Sequence, residues 1–185
     1  MAFHPGKCKV MRLSRATDTF DIDYQLRGHT LEVSCAEKYL GVMLDNKLSW
    51  GPHVDAVVGK AKGKLGFCRR NLQVRNRTVK ECAYKSLCRS TLEYCCSAWD
   101  PHLGVQIDAL DRVQRRAARY VTGNHSYRAS VTAMISDLKW ESLADRRTKT
   151  KMTMSMCFKI YNGLVDIPFD RYMQHQHLPE SHVRT

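Results

Sequence analysis

The chain has 185 residues, 43% of them apolar, with a formal charge of +12. That is enough apolar material for one packed domain of ordinary size or two small ones. No run approaches the roughly 18 apolar residues of a membrane span, and the start, Met1 to Lys7, lacks the apolar stretch of a secretory signal. A nuclear or cytoplasmic, non-secreted protein is expected, with its eight cysteines reduced and in the core because their spacing fits no disulfide framework.

The positive charge is regional. Residues 1–50 hold seven Lys/Arg against six Asp/Glu, whereas residues 59–90 hold ten basic side chains against the single Glu81. Charge of one sign gathered on a short stretch points to a polyanion as partner.

Residues 7–44 have the texture of strands. Lys9 to Leu13 is a short candidate, and Phe20, Ile22, Tyr24 and Leu26 alternate with Asp21, Asp23, Gln25 and Arg27, one face apolar and one polar. Gly28-His29 turns the chain, Leu31 and Val33 continue the alternation, and Tyr39 to Leu44 is a denser apolar run, as in a strand covered on both sides. These segments predict a small antiparallel sheet of about three strands, ending near Leu48.

The period then becomes helical. Pro52 suits a first helical turn, and Val54, Val57, Ala61, Leu65 and Cys68 recur every three or four residues. A second helix from Asn76–Thr78 to Ala98 would turn Val79, Ala83, Leu87, Thr91, Tyr94 and Ala98 inward and stop at Asp100-Pro101. A third places Ile107, Leu110, Val113, Ala117 and Tyr120 or Val121 on one face and ends at Gly123-Asn124. A short helix at 131–138 and a longer one at 140–162 follow, with Met152, Met156, Phe158 and Ile160 available for packing. The fold class is therefore α+β: a small sheet over 1–48, a mainly helical basic bundle over 49–166, and a flexible tail over 167–185.

Two basic surfaces stand out. On the first helix, Lys60, Lys62, Lys64, Arg69 and Arg70 accompany Gly59, Gly63 and Gly66, small residues that allow close approach to a backbone. The stretch falls one residue short of a phosphate-binding loop and has Leu65 where that loop needs a hydroxyl, so a nucleotide site is rejected. Contact with nucleic-acid phosphates, independent of sequence, is the better reading. On the third helix, Arg112, Arg115, Arg116 and Arg119 share an outer face that is either solvated, paired with Asp108 and Asp111, or bound to phosphates.

Catalytic and metal sites are not expected. Asp21 and Asp23 fit the wet face of a strand better than a two-metal centre, and His175, His177 and His182 lie in the tail without a cysteine partner. Trp50, Trp99 and Trp140 sit at helix boundaries, where large rings cover the ends of a bundle.

Five segments in order carry a resemblance: Phe3 to Met11, Lys38 to Val42, Leu48-Ser49-Trp50 with His53, Ser97 to His102, and Gln114 to Gly123. Together they resemble the end of the reverse transcriptases encoded by LINE-type, non-LTR retrotransposons, up to about Pro168. The resemblance implies the C-terminal edge of a palm followed by a thumb. It places Tyr39, Leu40 and Gly41 in a primer-grip-like segment and Lys7 or Lys9 near the incoming nucleotide. It also implies an RNA–DNA hybrid as partner, along with an N-terminal palm and fingers, and no membrane. The Tyr/Phe-x-Asp-Asp hairpin of these polymerases belongs before Phe3 and is absent here. Mg²⁺ is accordingly expected for a full-length parent and not for this chain, which would grip without catalysing. A stand-alone or domesticated nucleic-acid-binding protein is the alternative, and basic helices laid on anionic lipid are a third, weakened because their apolar face is needed by the bundle.

Overall fold

The computed structural model describes residues 4–14 and 22–167. The architecture is α+β, with three strand pairs leading into a helical bundle. A single 3-10 turn, Pro5–Lys7, precedes β1 (Lys9–Val10). Next come β2 (Gln25–Leu26), β3 (His29–Thr30), β4 (Glu32–Val33), β5 (Ala36–Tyr39) and β6 (Val42–Asp45).

Among the described residues the strands do not join into the single antiparallel sheet expected from the alternation. β1 pairs in parallel with β4, while β2–β3 and β5–β6 are separate antiparallel hairpins. Most of these strands are two residues long, too short to carry a ladder to a third neighbour. Ile22 and Tyr24 are exposed because no layer covers them; Phe20, Asp21, the tail and its histidines lie outside the described residues.

Nor is the run Tyr39 to Leu44 one buried strand. Leu40 (φ 46°) and Gly41 (φ 91°) turn it back on itself, the pair of positive φ values that a two-residue type I′ hairpin needs. Tyr39 and Leu40 consequently face solvent, while Val42 is buried among helix residues.

The helices are α1 (Gly51–Asn71), α2 (Arg77–Ala83), a π-helical segment (Tyr84–Arg89) continuing into α3 (Ser90–Glu93), α4 (Gly104–Thr122), α5 (Val131–Asp137) and α6 (Leu143–Tyr161). Side-chain oxygens of Asn76, Ser130 and Ser142 accept amide hydrogens at the starts of α2, α5 and α6, and Gly123 ends α4 in the left-handed conformation. α1 and α4 pack along each other and bury the faces their periodicity predicts: Val54, Val57, Ala61, Leu65 and Cys68 against Leu110, Val113, Ala117 and Val121.

The second helical region departs from its predicted stripe by one position. Tyr84, Cys88, Leu92, Cys96 and Trp99 are buried, whereas Val79, Leu87 and Tyr94 are exposed. The partners decide this. Tyr84 stacks on Trp140 with ring centroids 4.5 Å apart, Trp140 Nε1 donates to Glu81 at 2.9 Å, and the π-helical turn shifts the register of everything after it.

In α6 only Leu143, Arg147 and Ile160 are buried, and Met152, Met156 and Phe158, expected to pack, are exposed. Only Cys68, Cys88 and Cys96 are core cysteines; Cys35, Cys82 and Cys95 face solvent.

α6 is held by charge rather than by an apolar stripe. Arg147, 2% exposed, places Nε 3.2 Å from Asp100, whose other oxygen accepts from Lys151 at 2.6 Å, and Arg146 grips Glu93 through two nitrogens. Burial opposes ionisation of Asp100, but the hydrogen bonds and charges of Lys151 and Arg147 outweigh it and hold the carboxyl below its ordinary range. A carboxylate with a depressed folded pKa stabilises the fold above its unfolded pKa, and that stability is lost as pH falls through the folded value.

Unfolding free energy followed by tryptophan fluorescence should therefore drop as the pH falls below about 4. Asp100→Asn should cost about 1–2 kcal/mol at neutral pH, less than a fully buried pair because water reaches Asp100, and should flatten that acid limb. An acid limb identical in Asp100→Asn and the parent would place the titration elsewhere.

Candidate nucleic-acid interface

At about 100° per residue, the burial of Val54, Ala61 and Leu65 fixes which way α1 faces. Lys60 and Lys64 then fall on one flank of the helix and Lys62 and Arg69 on the other, with Arg70 toward the outer face; all five are exposed. The three lysines are not one cluster, because alternate residues on a helix point to opposite sides.

Between the two flanks runs the outer face of Gly59, Gly63 and Gly66. A Cβ added at Gly59 or Gly63 would meet nothing within 4 Å, and at Gly66 only the tip of Arg70. Among the described residues nothing packs on this strip at Gly59 or Gly63.

Lys60 and Lys64 line an open cleft of about 370 Å³ with Lys38, Gly41, His53, Ser90, Thr91 and Tyr94. The Leu40–Gly41 turn is thus brought to the lysine flank of α1. Tyr94 fixes it by donating from Oη to the Leu40 carbonyl at 3.1 Å. Its ring lies so close to Gly41 that a Cβ there would come within 2.9 Å of Cε1.

The floor of the cleft is fastened by aromatic rings. His53, 2% exposed, accepts the Met43 amide hydrogen at Nδ1 (3.1 Å) and meets the Trp99 ring edge-on at 4.6 Å. Trp99 Nε1 donates to the Tyr94 carbonyl at 2.8 Å. Burial, and then the charge of Lys60, hold the His53 imidazole below its ordinary pKa and hence neutral. None of Lys38, His53, Ser90, Thr91 or Tyr94 carried a charge-run signal in the sequence; only the hairpin and the helix packing bring them to Lys60.

Lys7 and Lys9 lie at a second, smaller opening with Lys38 and Tyr39. Lys9 is engaged there by Glu37 at 2.7 Å and Glu32 at 3.5 Å, contacts that raise its pKa and tie β1 to β4 and β5. On α4, Arg112, Arg115, Arg116 and Arg119 share the face opposite the core. Arg119 donates to the Ser126 carbonyl at 2.8 Å, and the other three make no ion pair among the described residues.

The sorting of charge is clear. Lys9, Arg77, Lys85, Arg146, Arg147, Lys149 and Lys151 pair with acids, whereas Lys38, Lys60, Lys62, Lys64, Arg69 and Arg70 pair with none among the described residues. Among the described residues no group of three His, Cys, Asp or Glu could hold a metal ion. No helix among them is long and apolar enough to cross a membrane.

Because Gly41 combines a φ of +91° with the Tyr94 contact, Gly41→Ala should lower stability by about 1–3 kcal/mol in denaturant unfolding. Gly28→Ala, at φ +77° with open space around it, should cost about 1 kcal/mol. Equal losses would show that the Tyr94 contact is not restrictive.

No family model and no solved structure matches the chain. Over 120 residues, 62% of its length, it is 27% identical to a Drosophila melanogaster protein named "Probable RNA-directed DNA polymerase from transposon X-element". The matched region spans 13% of that relative. The resemblance read from the motifs is borne out to this extent: the chain is similar to part of a transposon-encoded RNA-directed DNA polymerase.

Proposed function

We propose that this chain is the thumb-like, template–primer-gripping part of a non-LTR retrotransposon reverse transcriptase, and that it holds an RNA–DNA hybrid without itself transferring nucleotides. The observation that carries the reading is the outer face of α1. A strip paved by Gly59, Gly63 and Gly66 is flanked on both sides by cations that no acid among the described residues neutralises.

Each glycine inside a helix costs about 0.5–1 kcal/mol relative to alanine, and at Gly59 and Gly63 no contact with the described residues recovers it. A helix face bare at Gly59 and Gly63 lets a polyanion's backbone come close enough for Lys60 and Lys64 on one flank, Lys62 and Arg69 on the other, and Arg70 on the face itself to reach phosphates. Such contacts read shape and charge rather than base sequence. The α4 arginines supply a further basic face, with the planar fork that suits phosphate oxygens.

Phosphoryl transfer needs metal ions held by converging carboxylates. Among the acids, Asp100, Glu93 and Glu141 are committed to α6, and Glu32 and Glu37 to Lys9. Primer extension by the chain alone, with Mg²⁺ or Mn²⁺, is expected to give no product; template-dependent extension would overturn the non-catalytic half of the reading.

Affinity for an RNA–DNA hybrid, read by fluorescence anisotropy, should fall about 10²-fold between 50 and 200 mM salt if about four phosphates are neutralised. Gln at Lys60, Lys62 and Lys64 together should flatten the log–log slope by about 2–3. An unchanged slope would move the contact off α1. Gly59→Ala with Gly63→Ala should raise stability by about 1–2 kcal/mol through helix propensity, while weakening the hybrid by crowding the strip. Stabilisation without loss of binding would show that the strip does not face the hybrid.

A further inference from the structure

We propose that the turn after α4 carries a stacking site for one unpaired nucleobase: the Tyr127 ring takes the base, and Arg112, Arg116 and Arg128 take the phosphates beside it. The partner is a single strand of nucleic acid, and the site stands apart from the reading of α1 as the grip on a duplex.

Tyr127 is 98% exposed, so its ring lies open to solvent and the described residues make no use of it for packing. Every base has a π-face that can lie on such a ring, whatever its identity. In a duplex those faces are already stacked on one another, which is why an unpaired base is the better occupant.

The turn that bears the ring is fixed. Gly123 leaves α4 in the left-handed conformation, at φ 69°, and Asn124 Oδ1 accepts the Ser126 amide hydrogen at 3.0 Å. The Ser126 carbonyl in turn accepts from Arg119 at 2.8 Å and from the Ala129 amide at 3.2 Å. Ser126 is thus held through both its backbone groups, and Tyr127 follows it directly. When a base stacks, it is chiefly the rotation of the tyrosine side chain that has to be lost.

Positive charge gathers on the same side. The bond to Ser126 brings Arg119 to the turn, and Arg128 is the next residue after Tyr127. Arg112 and Arg116 stand exposed on preceding turns of the outer face of α4, and the acid of that face, Asp108, lies at the end away from the turn. From Arg112 to Arg119 the helix rises about 10 Å, a length over which one stacked strand carries about three phosphates. Arg112, Arg116 and Arg128 form no ion pair among the described residues, and their planar forks suit phosphate oxygens. An open ring on a set backbone beside a basic track is what binding of a single strand without base preference requires.

The test uses the full chain and fluorescence anisotropy with two strands of equal length and charge, an oligothymidylate and its abasic counterpart. The oligothymidylate should bind at least about fivefold more tightly. Tyr127→Ala should remove that difference and Tyr127→Phe should keep it; a side chain so exposed can be cut back without loss of the fold. Arg112→Gln with Arg116→Gln should weaken both strands alike and lower the log–log salt slope by about 1.4. On a blunt RNA–DNA hybrid, Tyr127→Ala should change affinity by no more than about twofold.

No binding of the oligothymidylate, equal affinity for the two strands, or a Tyr127→Ala loss of the same size on both would overturn the site. An equal loss on the blunt hybrid would make the ring a duplex contact and overturn it too. A hybrid bound through the α1 lysines, with no effect of Tyr127→Ala on the oligothymidylate, would sink the site and leave the gripping reading standing. A Tyr127-dependent preference for the oligothymidylate without binding of the hybrid would uphold the site and sink the gripping reading.

Discussion

The contact between His53 and Trp99 is the constraint on which the rest of the structure depends. His53 on α1 accepts the Met43 amide hydrogen of the β5–β6 hairpin, and its ring meets Trp99, whose indole nitrogen donates to Tyr94; Tyr94 in turn donates to Leu40 at the tip of that hairpin. The circuit closes on itself. It joins the strand region to α1 and to the end of the second helical region without needing a continuous sheet. One residue further, Asp100 extends the link to α6 through Arg147 and Lys151.

From that frame follows the distribution of charge. Glu93 and Asp100, at and after the end of the second helical region, and Glu141, just before α6, are drawn into pairs with α6, an element with little buried apolar surface of its own. The cations of α1 have no such partners among the described residues, and they border a helix face that carries no side chains at Gly59 and Gly63. A surface with unpaired like charges is tolerated at some cost in self-repulsion, and that cost is relieved by a bound polyanion. The basic face is thus a property of which acids the tertiary structure has already spent.

The motifs behind the polymerase resemblance now have individual physical roles, and most are structural. Gly41 makes the hairpin turn under the Tyr94 ring, and Ser49 donates to Asp45 at the entry to α1. His53 and Trp99 form the central contact, Asp100 anchors α6, Gln114 donates to the Glu141 carbonyl at 2.9 Å, and Ala117 and Ala118 let α4 pack closely. Similarity carried by such residues reports a shared scaffold. The proposed binding rests instead on the exposed lysines of α1 and on Gly59 and Gly63, which meet nothing among the described residues.

The sequence by itself determined the α+β class, the positions of α1 and α4, the faces they bury and the concentration of basic residues on α1, because periodicity and charge are local properties that survive without knowledge of partners. It mistook the Tyr39–Leu44 run for one strand, since an apolar run looks the same whether it is covered or turned at Leu40–Gly41. It set the second helical stripe one residue off, because the stacking of Tyr84 on Trp140, 56 positions away in the chain, and a π-helical turn chose the buried face. It joined three lysines that the helix separates, and it missed Lys38, His53, Thr91 and Tyr94 as neighbours of Lys60 and Lys64. Only the tertiary structure could decide these, for a cleft is made by side chains distant in sequence, and an unsatisfied nitrogen such as Nε2 of His53 exists only once everything around it has been placed.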